Sequence, residues 1–221
     1  MDLDFFNLIF PFLLQGAKVT IILTLLALTF GTVIGLISAL MRLSRFRILR
    51  GISWFYTWVI RGTPLLVQLF VWYYGFPSIG IELNAFVAGV CALSLCEGAY
   101  ISEIFRAGIL SVDKGQKEAA LSLGMTSGQS MKRIVLPQAF KTILPPFSNE
   151  CITSMKDTAL VSTITLVELM RQAQTLDATH FRSMEIYLSA GVMYLLMTSV
   201  IMLGIYFLEK KFQLKVQRVK R

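Results

Sequence analysis

The sequence predicts an all-α integral membrane protein of about five transmembrane helices, and three observations carry that reading. The first is composition. Hydrophobic residues make up 55% of the chain and charged ones only 15%, with a mean hydropathy of +0.66, values typical of a chain that folds in lipid. The second is uncharged length. Val19 to Met41 and Tyr187 to Leu208 contain no charged residue, and each has the roughly 20 residues needed to cross a hydrocarbon core of about 30 Å. The third is the placement of the +8 net charge. Arg42, Arg45, Arg47 and Arg50 follow the first apolar run; Lys114, Lys117, Lys132, Arg133 and Lys141 surround the longest polar stretch; Lys210, Lys211, Lys215, Arg218, Lys220 and Arg221 fill the tail. Positive residues stay on the cytoplasmic side. An outside N-terminus, five spans and an inside C-terminus place all three clusters there. The charge therefore reads as topology, and no nucleic acid partner is expected.

Taken in order, Asp2 to Gln15 reads as a Phe-rich interfacial lead-in on the outer face. The start, MDLDFFNLIF, is acidic where a secretory signal is basic, so no cleavable leader is expected. The first span runs from about Lys18 to Met41, with Gly31 and Gly35 forming a small-residue face for close helix approach. The second lies between Gly51 and Phe76 and is interrupted by Arg61-Gly62-Thr63-Pro64. Pro removes a backbone hydrogen bond and Gly loosens the helix. An Arg there must face protein, water or the headgroups. Arg61 and Pro64 are thus a candidate hinge beside a pathway, with a headgroup-seeking arginine as the plainer alternative. Gly75, Pro77 and Gly80 mark an outer turn.

The third span, about Leu83 to Leu110, carries Glu97, Glu103 and Arg106. Glu103 and Arg106 are three apart and can pair. Glu97 lies deeper, has no opposite charge at helical spacing, and is the better functional candidate. Polar residues then run through Lys114-Gly115-Gln116-Lys117 into Glu118 to Pro137. Glu118-Ala119-Ala120-Leu121 is a good helix former, Gly124 suits a left-handed stop, and Thr126 with Gln129 fits a capping box opening a second helix. Pro137 is expected to mark the boundary with the next element. The fourth span, about Ala139 to Met155, contains Pro145 and Pro146, expected to bend it, then Ser148-Asn149-Glu150 at mid-depth. A buried carboxylate costs several kcal/mol unless partnered. Lys156-Asp157-Thr158 breaks the helix near the outer side. Thr158 to Gln174 reads as a helix dipping partly into the bilayer, Thr175 to Glu185 as a polar outer stretch, and Tyr187 to Leu208 as the last span. No internal repeat is evident, so residues 1–221 form one transmembrane domain. The three cysteines, Cys91, Cys96 and Cys151, are read as packing residues.

Glu118, Ala119, Ala120, Gly124, Ile134, Leu136 and Pro137 fall in the register of the EAA loop, which the stretch resembles, of bacterial ABC-importer permeases. Arg61-Gly62-Thr63-Pro64, Ala99-Tyr100, Glu103-Ile104-Phe105-Arg106, Lys114-Gly115-Gln116 and Lys156-Asp157-Thr158 look like the polar amino acid branch of that family, over about residues 12–212. The resemblance implies the type I importer transmembrane domain in a bacterial cytoplasmic (inner) membrane. It also implies a second permease copy or paralogue, an ABC ATPase subunit dimer and an extracytoplasmic substrate-binding protein. Residues 111–137 would then be the cytoplasmic coupling loop, with Gly115, Glu118, Ala119, Ala120 and Gly124 at the ATPase. The chain has no GxxxxGK[ST] run to cradle phosphate, so it is not itself an enzyme; ATP and Mg belong on the partner, and this chain is expected to bind no cofactor or metal.

For cargo, Glu97, Asn149, Glu150, Lys156 and Asp157 are the candidate binding residues, with Asp157 for an ammonium and Lys156 for a carboxylate. Ser148-Asn149-Glu150 resembles permeases for cationic amino acids (arginine, lysine, histidine). Leu169-Met170-Arg171-Gln172-Ala173-Gln174 looks more like cystine permeases, and glutamine stays open. Glu150 could instead be a protonated or packing residue. An intramembrane enzyme using Glu97, Glu103 or Glu150 would need a nucleophile or metal converging on them, and the sequence supplies neither.

Overall fold

The computed structural model describes residues 3–211, and every regular element among them is helical. The tail calls on Lys215, Arg218, Lys220 and Arg221 lie outside the described residues. In chain order the elements are α1 (Leu3–Leu43), α2 (Arg47–Gly62), α3 (Leu65–Phe70), α4 (Ala85–Leu110), α5 (Lys114–Ser122), α6 (Ser127–Ser130), α7 (Leu136–Asp157), α8 (Leu169–His180) and α9 (Ser183–Lys211). Helices α1, α4 and α9 are long and apolar enough to cross a membrane. At about 1.5 Å per residue, the 22 residues of α7 reach as far, with a more polar face.

Helix α1 corrects the reading of Asp2 to Gln15 as a separate interfacial segment. It runs unbroken through Pro11 because Phe5, Ile9, Leu13 and Ala17, at i, i+4 spacing, form a buried stripe. That stripe packs on Leu169, Ala173 and Leu176 of α8 and on Ile186 and Ala190 of α9. Further along, α1 lies against α4. A Cβ on Gly31 would come 2.7 Å from Glu97 Cβ, and one on Gly35 would come 2.8 Å from Ile101 Cγ2, so only glycine permits this approach. Ser38, Ser53 and Ser102 link α1, α2 and α4 in one buried hydroxyl cluster, with Ser53 Oγ donating to the Ser38 carbonyl at 2.8 Å.

The interruption at Thr63-Pro64 separates α2 from α3, and its freed backbone groups are satisfied locally. Gln68 Nε2 donates to the Ile60 carbonyl at 2.8 Å and to the Thr63 carbonyl at 3.1 Å, and Thr63 Oγ1 donates to the Val59 carbonyl at 3.0 Å. A break built this way survives in a low-dielectric setting. Beyond α3 the chain tightens through a π turn (Val71–Gly75) and a 3₁₀ turn (Phe76–Ile79), closed by Gly80 at φ 82°.

Pro137 falls at the expected boundary, and two later stretches, Thr158 to Gln174 and Thr175 to Glu185, differ from expectation. Pro137 sits in the first turn of α7, where its missing N–H costs nothing, and a π turn at Met131–Val135 joins α7 to α6. The α7 helix continues through Pro145 and Pro146 to Asp157. Thr158 to Gln174 is two elements: a 3₁₀ segment (Thr158–Ile164) ending at Thr165 in the left-handed region (φ 68°), then the start of α8. The stretch Thr175 to Glu185 is mostly helical, in α8 and α9, with only a tight turn at Phe181 (φ 56°).

Candidate functional site

Between the α2–α3 break, α4 and α7 lies a cavity of about 510 Å³. Arg61, Gly62, Thr63 and Pro64 form one wall, Cys96, Glu97 and Tyr100 a second, and Glu150, Thr153 and Asp157 a third. The α7 residues are three and four apart, so they project from one face. Glu97 is only 2% exposed, held inward by the close passage of Gly31. Its Oε2 is buried with no hydrogen-bond partner. The Glu97 and Glu150 carboxyl groups are near enough to interact directly. Like charges at such range repel unless a cation comes between them. The one cationic side chain in the lining is Arg61, whose guanidinium lies 5.2 Å from the centroid of the Tyr100 ring. Cation–π contact of this kind orients a guanidinium without neutralising it.

The structure thus gathers Glu97, Glu150 and Asp157 with Arg61 and Pro64. It does not bring in Asn149 or Lys156, which are exposed and outside the lining. Neighbours in sequence diverge by about 100° around a helix; Asn149 and Lys156, seven apart, share a stripe beside the one that carries Glu150 and Asp157. Sequence reasoning also passed over Gln68 and Tyr100 as site-forming side chains. Gln68, four residues beyond a Thr-Pro break, was the available signal for the first.

The second candidate region is the loop from Ser111 to Val135. Asp113 caps α5 by accepting from the Gly115 N–H at 2.7 Å. Helix α5 ends at Gly124 (φ 82°), with the Met125 N–H donating to the Ala120 carbonyl at 3.1 Å. A side chain at Gly124 would be strained whatever the space around it. The capping box is present in both directions: Gln129 N–H to Thr126 Oγ1 at 3.2 Å and Thr126 N–H to Gln129 Oε1 at 2.9 Å. Ala120 is buried, whereas Gly115, Glu118 and Ala119 face outward and Leu123 is 82% exposed at the tip. A rigid capped helix with an exposed apolar tip can dock in a groove on another protein.

The family described as binding-protein-dependent transport system inner membrane component matches residues 31–214. The arginine transport system permease protein ArtQ of Bacillus subtilis (strain 168) is 42% identical over 204 residues, covering 91% of this chain and 93% of that one. The L-cystine transport system permease protein TcyB of the same organism is 44% identical over 202 residues, covering 91% and 86%. Among solved structures, the crystal structure of an amino acid ABC transporter with histidines superposes with a TM-score of 0.90 at 40% identity, covering 96% of this chain and 99% of that one.

Proposed function

This chain belongs to the binding-protein-dependent transport system inner membrane components and is an amino acid ABC transporter permease, and from that premise we propose that it imports polar amino acids, cationic ones by preference. The observation that carries the preference is the cavity between the α2–α3 break, α4 and α7. Three carboxyl groups there face a single guanidinium. A zwitterion would use Arg61 for its carboxylate and one acid for its ammonium, leaving two acids uncompensated. The side-chain cation of arginine, lysine or protonated histidine offsets one more. Hydrogen bonds between ionised partners contribute about 1.5–3 kcal/mol each, and a planar guanidinium can engage a carboxylate with two donors. Arg61 takes the role expected of Lys156. Relatives named for arginine, cystine and glutamine transport support the broad class and leave cystine as the main rival.

The test is competition uptake with arginine, lysine, histidine, glutamine and cystine, for wild type and Glu150→Gln in the complete transporter. We expect arginine and lysine to compete best and their advantage to shrink about tenfold in Glu150→Gln, the equivalent of one charge-assisted contact. Competition by cystine alone would refute the cationic preference.

Coupling supports the same assembly. Residues 111–137 form the contact with an ATPase dimer that carries ATP and Mg. A second permease copy or paralogue closes the pathway, and an extracytoplasmic binding protein delivers the cargo. Orientation follows from the basic clusters, with this loop inside. Gly124→Asp should keep the protein inserted, abolish uptake and leave the ATPase running without transport. Wild-type uptake by a stably expressed Gly124→Asp variant would refute the contact.

A further inference from the structure

A second cavity, of about 310 Å³, lies beside the first. The two share Arg61 and Gly62, and the second adds Arg42, Trp54, Trp58 and Glu103. It shares Arg42 and Trp54 with an open basin of about 600 Å³ lined by Arg42, Arg50 and Arg106, where α1 and α4 end and α2 begins. The three cavities thus follow one another, by the residues they share, from the carboxyl-rich site toward the end of the molecule that carries the coupling loop.

Two features of the second cavity offer groups to a ligand. Trp54 and Trp58, one helical turn apart on α2, stack in parallel with centroids 5.8 Å apart and an interplanar angle of 3°, yet are 52% and 59% exposed. Glu103 gives its Oε2 to two Arg106 donors, at 2.6 and 3.1 Å. Its Oε1 is buried with no hydrogen-bond partner, and the nearest Arg42 nitrogen stands 3.8 Å away. An aromatic platform beside a carboxylate oxygen that accepts no hydrogen bond, held only by a long ion pair to Arg42, is what an organic cation can use.

We propose that this second cavity is a release station for the transported amino acid. Its cation rests on the Trp54–Trp58 face and donates to Glu103 Oε1. Arg61, common to both cavities, keeps hold of the carboxylate as the cargo passes. Glu97 and Glu103 are six residues apart on α4, an axial step of about 9 Å, which one amino acid can span with a guanidinium at one end and a carboxylate at the other. Past the station the lining keeps Arg42, adds Arg50 and Arg106 and has no carboxylate, so a cation that leaves Glu103 is repelled forward into water. The proposal rests on the first cavity being the cargo site.

The experiment counts bound cargo in the complete, nucleotide-free transporter in nanodiscs. The probe is labelled arginine, with labelled cystine in a parallel arm. Two equivalents per copy of this chain are expected, of which the weaker loses about tenfold in affinity in Trp58→Leu and is retained in Trp58→Phe. Should Trp58→Leu fail to assemble, Glu103→Gln gives the same readout. Glu150→Gln should remove the tighter equivalent and spare the weaker. One equivalent, lost in Glu150→Gln and indifferent to Trp58→Leu and Glu103→Gln, overturns the station while leaving the first cavity as the cargo site. No binding of either probe to wild type overturns both.

Discussion

Two buried glutamates, Glu97 and Glu168, stand in the same helical core and are put to opposite uses. Glu168 is 0% exposed and Glu97 is 2% exposed. The Glu168 carboxylate caps α8 by accepting from the backbone N–H groups of Met170 at 2.9 Å and Arg171 at 2.7 Å. It also accepts from Tyr194 Oη at 3.0 Å and from Thr20 Oγ1 at 3.4 Å. One side chain thereby joins α1, α8 and α9, and its acceptor capacity is used. Glu97 lines a cavity, faces another carboxyl group and keeps one oxygen without a partner. Burial alone therefore does not identify a binding group. An unsatisfied oxygen that also faces a cavity marks a candidate.

The largest expected effect on stability lies at the satisfied glutamate. Glu168→Ala strands two backbone donors and the Tyr194 hydroxyl, and each buried orphan costs about 1–3 kcal/mol. We expect a loss of about 3 kcal/mol or more, read as a lower unfolding temperature of the purified transporter, with uptake falling only as far as the amount of folded protein falls. Normal stability in Glu168→Ala would break the comparison at its structural end.

Helix α1 touches both glutamates. Thr20 donates to Glu168, and Gly31, eleven residues on and about 16 Å along the axis, clears the Glu97 stem. Gly31→Ala places a methyl 2.7 Å from Glu97 Cβ. Overpacking of this kind costs about 1–3 kcal/mol, and here it also displaces a cavity carboxylate. Stability and cargo affinity should fall together, checked by thermal unfolding and equilibrium binding on one preparation. A drop in stability with unchanged affinity would show that the α1–α4 contact does not position Glu97.

How much of this was legible in the sequence follows from the range of the interactions. Features made by local hydrogen bonds could be read directly: the Thr126–Gln129 box, the Gly124 stop, the Thr63-Pro64 break and the Glu103–Arg106 pair. Glu97 stood out because its own helix offers it no opposite charge. Features that depend on a distant partner could not. The Phe5–Ala17 stripe was read as interfacial because α8, which covers it, lies more than 150 residues away. Glu168 was not singled out because Thr20 and Tyr194, which hold it, come from two other helices. Asn149 and Lys156 were grouped with Glu150 and Asp157 by adjacency along the chain, which a helix turns into different directions.

The smallest expected effect on stability is at the glutamate with an oxygen to spare. Glu97→Gln keeps the volume and replaces a carboxyl group that faces Glu150 and has one oxygen without a partner. Losing one half of a satisfied buried pair is costly, but an amide here strands no backbone donor and can still donate to the facing Glu150 carboxyl group. The unfolding temperature should therefore hold or rise slightly. Transport should respond the other way, because the amide cannot supply the negative charge that a cationic cargo requires: uptake at low arginine should drop about tenfold or more. The pair Glu168→Ala and Glu97→Gln thus predicts a crossed pattern, stability without function at one position and function without stability at the other. A Glu97→Gln variant that melts as early as Glu168→Ala would mean that Glu97 holds the helices together. One that keeps both its melting temperature and its arginine uptake would remove it from the cargo site.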